Sequence, residues 1–489
     1  MGTYFMKKRS LGFNTLLNGI RSALNIFFPL ITFPYVSRVL SVNGMGIYNF
    51  SNTYVSYFVL LAGLGINTYA IREGSKYRDE NKKLNEFSCQ IFTINIISTV
   101  VAYILLLISL IVFKNLNNYI SCILIFSLQI LFTTIGTEWI YTIYEDFTYI
   151  TIRSIVFQCI SIILLFVFVK KPNDYLIYAG ITVIAGAGSN IFNFVHAKSF
   201  IDIKLTKQTN WNYHLKPILI IFASSVATTL YVSSDTTILG LLKGDYAVGI
   251  YSVAVKIYTI INGLINGLLT ATIPRLSMLL GKKKIKEYNA TLSRVINSIS
   301  ILVLPAAVGV ILLSKEIVLI IAGEKYLNSV LSLQIIVITL IFSIFSIIFT
   351  YCVLIPAKRE KKVLYNAIIA GVVNVLLNFV FIPLWSYDGA AATTVISEII
   401  IVTLDAWVAR DIIKKIVFSK EFLKNIISSL IGCIGIVLIC WLCDIGYDSL
   451  LSKTVSSVVL SIPMYFAILV FLKNKVVISL INRLRLLIK

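Results

Sequence analysis

Apolar residues fill this chain in stretches of about 19 to 27, parted by short polar turns, and the alternation continues almost to the end. A helix needs roughly 20 mostly apolar residues to cross about 30 Å of hydrocarbon. The pattern predicts helical spans at 13–38, 47–70, 88–113, 119–140, 149–169, 175–197, 217–241, 247–273, 292–314, 329–355, 363–384, 388–409, 425–443 and 454–472. That describes an all-α polytopic membrane protein of about fourteen transmembrane helices, with no stretch left over for a large soluble domain.

Composition agrees: 58% of residues are hydrophobic and 13% charged, with mean hydropathy +0.89. The net charge of +21 would suit nucleic acid only on a folded soluble domain with a basic face, and none is available. Its placement gives a better account. Basic residues cluster at Arg72 to Lys83, Lys198 to Lys216, Arg275 to Lys286, Lys358 to Lys362, Arg410 to Lys424 and Lys473 to Lys489, which are alternate turns. Cytoplasmic loops retain Lys and Arg, so both termini are expected in the cytoplasm. Lys7, Lys8 and Arg9 precede the first span without a small-residue cleavage site, which reads as an uncleaved first helix. The tail from Val476 to Leu487 mixes apolar residues with arginine, as an interfacial helix on an anionic leaflet or a solvated tail would. The seven cysteines lie almost entirely in apolar spans, where a thiol packs as a small hydrophobe. Cys440 and Cys443 form a lone CxxC, and His196 and His214 are isolated, so no metal set is expected.

An internal repeat appears at an offset of about 203 residues. Gly46-Ile47-Tyr48 opens the second span and Gly249-Ile250-Tyr251 the eighth, while Arg72 and Arg275 close the same two spans. Spans one to six and seven to twelve then form two lobes related by a pseudo-two-fold along the membrane normal, because six is even. The expected organisation is an N-terminal lobe at 1–200, a cytoplasmic linker at 201–216, a C-terminal lobe at 217–410, two further helices at 425–472 and a basic tail at 473–489.

Ionisable residues deep in hydrocarbon are costly unless paired or facing water, so each is a candidate for function. They are Arg21 in the first span, Glu138 in the fourth, Asp235 in the seventh, Lys256 in the eighth, and Glu398 and Asp405 in the twelfth. Asn18, Asn25, Pro29 and Pro34 share the first span with Arg21, as a bent cavity wall would require. Arg21 and Lys256 come from different lobes and would suit a diphosphate in a central chamber, with Asn18 and Asn25 beside it. The alternative pairs one of these cations with Asp235 as a buried ion pair, and both arrangements could alternate between states. Glu398 and Asp405 stand seven residues apart on nearly one helix face, as an ion-coupling site or as helix packing. Glu138 reads as a gate or an interfacial anchor, and Arg38 as a structural cap of the outer turn or a phosphate guide.

Several stretches resemble the Wzx-type polysaccharide flippases of the multidrug/oligosaccharidyl-lipid/polysaccharide exporter superfamily. Asn25 to Tyr48, NIFFPLITFPYVSRVLSVNGMGIY, is similar to that family's opening helix, its Pro-Tyr-x-x-Arg-x-Leu turn and its Gly-x-Gly-x-Tyr entry into helix two. Leu64 to Glu73, Ser234 to Lys256 and Pro274 to Ser277 match further family segments, so the resemblance covers spans one to twelve. It implies a flippase of the bacterial cytoplasmic membrane that moves an undecaprenyl-diphosphate-linked oligosaccharide to the outer leaflet by alternating access. It also implies membrane lipids and a polysaccharide polymerase as partners, and no enzymatic activity.

Four other readings compete. A lipid II flippase would carry several arginines in the first lobe, where this chain offers chiefly Arg21. A cation-coupled drug exporter would line its cavity with carboxylates. A membrane-embedded glycosyltransferase or polymerase needs a large catalytic outer loop, and the longest expected here is about a dozen residues. A passive channel or scaffold would not call for the two-lobed repeat. No cofactor is expected, and without a GxxxxGK loop direct ATP use is not either, which leaves a proton, sodium or the membrane potential as the driving force.

Overall fold

The computed structural model describes residues 27–488, apart from residues 200 and 271. Helix α1 (27–39) is the described end of the first predicted span. It is followed by α2 (Val42–Gly63), α3 (Ile66–Gly74), α4 (Asn81–Val112), α5 (Ile120–Gly136), α6 (Glu138–Tyr144), α7 (Phe147–Phe168), α8 (Tyr175–Val183) and α9 (Asn190–Ala197). The chain continues through α10 (Trp211–Thr270), α11 (Ile273–Gly281), α12 (Ile285–Leu312), α13 (Ser314–Ile321), α14 (Ser329–Ile347), α15 (Glu360–Val417), α16 (Lys420–Gly446), α17 (Leu450–Phe471) and α18 (Lys475–Ile488). The described residues contain no strand, as the all-α expectation requires.

Eleven helical runs among the described residues are long and apolar enough to cross a membrane. Two of them exceed a single crossing. Trp211–Gly267 has 57 residues, which as one straight helix would reach about 86 Å, nearly three times the hydrocarbon thickness. It is broken at Gly244, where φ is 77° and ψ −172°, a conformation open only to glycine. Glu360–Val408 is broken in the same way at Ser386, with φ 51°. Both breaks fall in turns that the polarity pattern draws, between 241 and 247 and between 384 and 388. Other predicted spans carry interruptions that polarity does not reveal. Left-handed residues at Leu64 and Gly65 separate α2 from α3, and Thr137 separates α5 from α6. Segments of π-helix at Ile184–Gly188 and Ile348–Leu354 widen the sixth and tenth spans.

The chain divides into two compact units, residues 1–249 and 250–489. Contacts group residues 211–249 with the first unit: Tyr69 bonds His214 at 2.8 Å and Tyr57 bonds Thr237 at 2.9 Å. That unit's core gathers Tyr69, Phe87, Trp139, Tyr141 and Ile203. In the second unit, Ile301, Cys433, Cys440, Tyr465 and Leu469 pack α12, α16 and α17 together. Cys440 is 8% exposed there, a packed hydrophobe as expected.

The repeat signature marks a close backbone crossing within the first unit. A Cβ built on Gly46 would lie 1.9 Å from the carbonyl oxygen of Asp245, and one on Gly249 would lie 2.2 Å from that of Val42. Gly46 and Gly249 are 203 residues apart, and so are Val42 and Asp245, so the two contacts are reciprocal. A self-complementary crossing of repeated segments has this form. The next tyrosine of each motif has a parallel role in its own unit. Tyr48 bonds Thr182 at 3.0 Å, and Tyr251 bonds Thr394 at 3.4 Å.

Replacing a helical glycine by alanine ordinarily stabilises by roughly 0.5–1 kcal/mol, whereas overpacking against a rigid neighbour costs about 1–3 kcal/mol. Backbone oxygens at these distances cannot yield, so overpacking wins. Gly46→Ala and Gly249→Ala should each lower the thermal unfolding midpoint of the purified protein. Gly309→Ala, with open space around it, should leave the midpoint unchanged or raise it. A raised midpoint in Gly249→Ala would refute the crossing.

Candidate functional site

In the first unit, Glu138 opens α6 and is held by an ion pair. Arg153 Nη2 donates to Glu138 Oε1 at 3.1 Å, and its Nη1 donates to the Ser189 carbonyl at 3.2 Å and to Asn190 Oδ1 at 3.4 Å. The short turn between α6 and α7 brings the two charges together, and Arg153 is almost fully buried. Glu138 is thereby tied to three elements. The sequence reading passed over Arg153, although it lies inside the predicted fifth span and its burial alone called for a partner. Asp235 is 4% exposed and sits beside Tyr57, whose hydroxyl meets Thr237. The histidines are held by neutral partners: His214 between Tyr69 and Gln90, and His196 against Tyr141 and Tyr149.

In the second unit, Lys256 is half-buried in α10, and no described carboxylate of that unit lies within 4 Å of it. Two residues further on begins a polar row. Asn266 Nδ2 donates to Asn262 Oδ1 at 2.7 Å, Asn262 Nδ2 donates to the Tyr258 hydroxyl at 2.9 Å, and Tyr258 donates to Ser343 Oγ on α14 at 3.3 Å. Spacing by four places these side chains on one face, roughly 160°, 120° and 80° around the helix axis from Lys256. The row ends at Asn266 Oδ1, a buried acceptor with no partner among the described residues. Glu398 acts electrostatically on Tyr258.

Asp405 is 1% exposed and accepts three hydrogen bonds, from Asn366 Nδ2 at 2.8 Å, Thr350 Oγ1 at 3.0 Å and Ser346 Oγ at 3.2 Å. These donors come from the first half of α15, from α14 and from the π-helical segment, and no cation pairs with Asp405 among the described residues. Seven residues of rise, about 10 Å, separate it from Glu398, so the two carboxylates form separate centres. Just beyond it, Arg359 and Asp411 form a bidentate pair at 2.7 and 2.6 Å. The guanidinium holds the Asp411 carboxyl below its ordinary range, and the carboxylate raises the arginine.

Arg38, Arg72 and Arg275 are exposed. Arg72 pairs with Glu73 at 3.1 Å and lies over the Tyr69 ring. Arg275 sits in the first turn of α11. Arg21, Asn18 and Asn25 lie outside the described residues. Two turns between spans carry charged groups that are bonded. Lys453 is held by Glu316 at 2.7 Å and by Asp444, and Asp388 accepts from Ser332 at 2.6 Å. Both arrangements join segments far apart in the chain, which a span-by-span reading cannot pair.

A family model described as "Polysaccharide biosynthesis protein" matches residues 11–280, and one described as "MatE" matches residues 220–380. A candidate O-antigen transporter of Escherichia coli (strain K12) is 25% identical over 399 residues, covering 81% of this chain and 96% of that protein. A candidate O-antigen transporter of Shigella dysenteriae is 25% identical over 405 residues, covering 80% and 97%. Among solved structures, the lipid II flippase MurJ in an inward closed conformation superposes with TM-score 0.76 at 17% identity, over 95% of this chain and 99% of that one. An inward-facing multidrug resistance MATE family transporter of the MOP superfamily gives TM-score 0.63 at 14% identity, over 85% and 98%. The fold is that of these membrane transporters.

Two measurements check the second unit's chemistry. Asp405→Leu strands three buried donors and should cost roughly 1–3 kcal/mol of stability, while Asp405→Asn keeps the shape and should cost less. Equal midpoints for the two variants would contradict the hydrogen-bonded centre. A carboxyl held below its usual value stabilises the fold above the unfolded pKa of about 3.9, and that contribution disappears as pH falls through the folded value. The parent should therefore exceed Asp411→Asn slightly at neutral pH, and the two should converge in acid.

Proposed function

The chain belongs to the polysaccharide biosynthesis protein family, and on that footing we propose that it flips an undecaprenyl-diphosphate-linked oligosaccharide from the cytoplasmic to the outer leaflet of a bacterial cytoplasmic membrane. The observation that carries this reading is the match to the two candidate O-antigen transporters over 96% and 97% of their lengths and about four fifths of this chain. A lipid tail can stay in hydrocarbon, whereas a diphosphate with sugars cannot cross it unaided, so the protein need only shelter the headgroup.

Lys256 supplies a cation inside the second unit with no carboxylate of that unit against it, and Arg21, with Asn18 and Asn25, is its intended counterpart in the first lobe. The Tyr258, Asn262 and Asn266 row adds hydroxyl and amide groups of the kind that bind sugars, ending on a buried acceptor with no partner among the described residues. Since Glu138 is engaged by Arg153, Glu398 and Asp405 are the stronger candidates for coupling to a proton or sodium, with Asp235 as a gate. Both termini face the cytoplasm in this reading, which follows from the alternating basic turns.

The test reconstitutes purified protein in liposomes with a fluorescent polyprenyl-diphosphate oligosaccharide and measures leaflet exchange. Loss of a charge-assisted hydrogen bond is worth about 1.5–3 kcal/mol, so Arg21→Ala and Lys256→Ala should each slow exchange by roughly 10- to 100-fold. Lys256→Arg should recover part of the loss. Undiminished exchange in both alanine variants would reject the site, and equal transport of lipid II would reject the substrate class.

A further inference from the structure

Part of the charge in the basic turns expected on the cytoplasmic side is compensated locally. Lys76, Lys83, Lys204 and Lys284 each contact a nearby carboxylate within 2.9 Å. Lys420, Lys424 and Lys475 do not: none has a carboxylate within 4 Å among the described residues. These three line one cleft of about 290 Å³, together with Glu421, Asn425 and Asn474.

The positions are electrostatically unfavourable in the protein alone. Lys420 begins α16 and Lys424 stands one turn further along the same face, while Lys475 begins α18. A helix N-terminus carries a partial positive charge and favours anions, and like charges four apart on a helix repel. Three lysines and two positive helix ends therefore converge, with Glu421 as the one acidic group of the lining. The framework beneath them is fixed. Asn474 donates to Asn425 Oδ1 at 2.8 Å and to Ser428 Oγ at 2.7 Å, and its own oxygen caps the amides of Val476 and Val477. Asn425 in turn donates to the Asn297 carbonyl at 3.0 Å. Both asparagines are at least 96% buried, so the starts of α16 and α18 are locked side by side.

Beside the cationic cleft the same helix turns apolar side chains outward. Leu423 is 60% exposed and Ile427 48%, as befits a surface in contact with acyl chains. Charge at the helix ends with exposed aliphatics directly alongside is the arrangement of the headgroup boundary. We propose that this cleft binds the phosphodiester headgroup of an anionic phospholipid of the inner leaflet, through Lys420, Lys424 and Lys475. The leaflet assignment rests on the orientation given above; the ligand chemistry rests on the cleft. The bound headgroup would neutralise the repulsion and anchor α18 at the membrane surface.

Native mass spectrometry of the full-length protein tests this, with phosphatidylglycerol and phosphatidylcholine as probes. Each lysine near an anionic surface contributes about a factor of five, so K420Q/K424Q/K475Q should weaken phosphatidylglycerol binding by roughly a hundredfold. The control K282Q/K283Q/K286Q removes the same charge from another basic turn and should change binding little. Equal losses in the two triple variants, or equal retention of phosphatidylcholine by the parent, would overturn the site. Displacement of the lipid by inorganic phosphate at constant ionic strength would overturn the lipid assignment in favour of a soluble anion. Because the readout is lipid retention, failure of oligosaccharide exchange would leave this result standing, and the converse also holds.

Discussion

Two helices in the first unit meet where neither can carry a side chain, and much of the fold's organisation follows from that contact. Gly46 and Gly249 each bring a Cα against a backbone carbonyl of the opposing segment. The approach sets Val42–Gly46 against Asp245–Gly249, and a tyrosine follows two residues after each glycine. Tyr48 and Tyr251 then reach threonines 134 and 143 residues later, on the sixth and twelfth predicted spans. A short motif repeated twice thus sets a crossing and aims a hydroxyl in each unit.

The all-α architecture of many membrane-crossing helices was legible because hydrophobic length is imposed by the bilayer itself. The repeat was legible because glycines at a backbone crossing resist substitution by any larger residue. Less visible were interruptions within spans. Thr137 and Leu64 adopt left-handed conformations inside apolar stretches, and nothing in hydropathy distinguishes them. The two π-helical segments are equally silent, since one extra residue in a turn does not alter composition.

Charges within the apolar spans were easy to find and hard to pair. Glu138, Asp235, Glu398 and Asp405 stand out in apolar sequence, yet their environments differ in kind. Glu138 has an arginine fifteen residues away, whereas Asp405 has three neutral donors drawn from separate elements. One charge is therefore met by an opposite charge and the other by neutral dipoles. Sequence spacing could not separate these cases, because the donors to Asp405 lie 39 to 59 residues away. Arg153 was missed for a related reason: near the end of a span, an arginine looks like part of the basic rim until its burial is known.

The row of Asn266, Asn262, Tyr258 and Ser343 has a property beyond its composition. An amide N–H can only donate and an amide oxygen only accept, so every proton in the row points the same way, from Asn266 toward α14. Aligned hydrogen bonds polarise one another. A donor arriving at the vacant end would strengthen each link in turn, whereas an acceptor arriving there would meet a lone pair. The direction of the row thus leaves a lone pair, not a proton, at its Asn266 end, which complements a hydroxyl and opposes an ether oxygen.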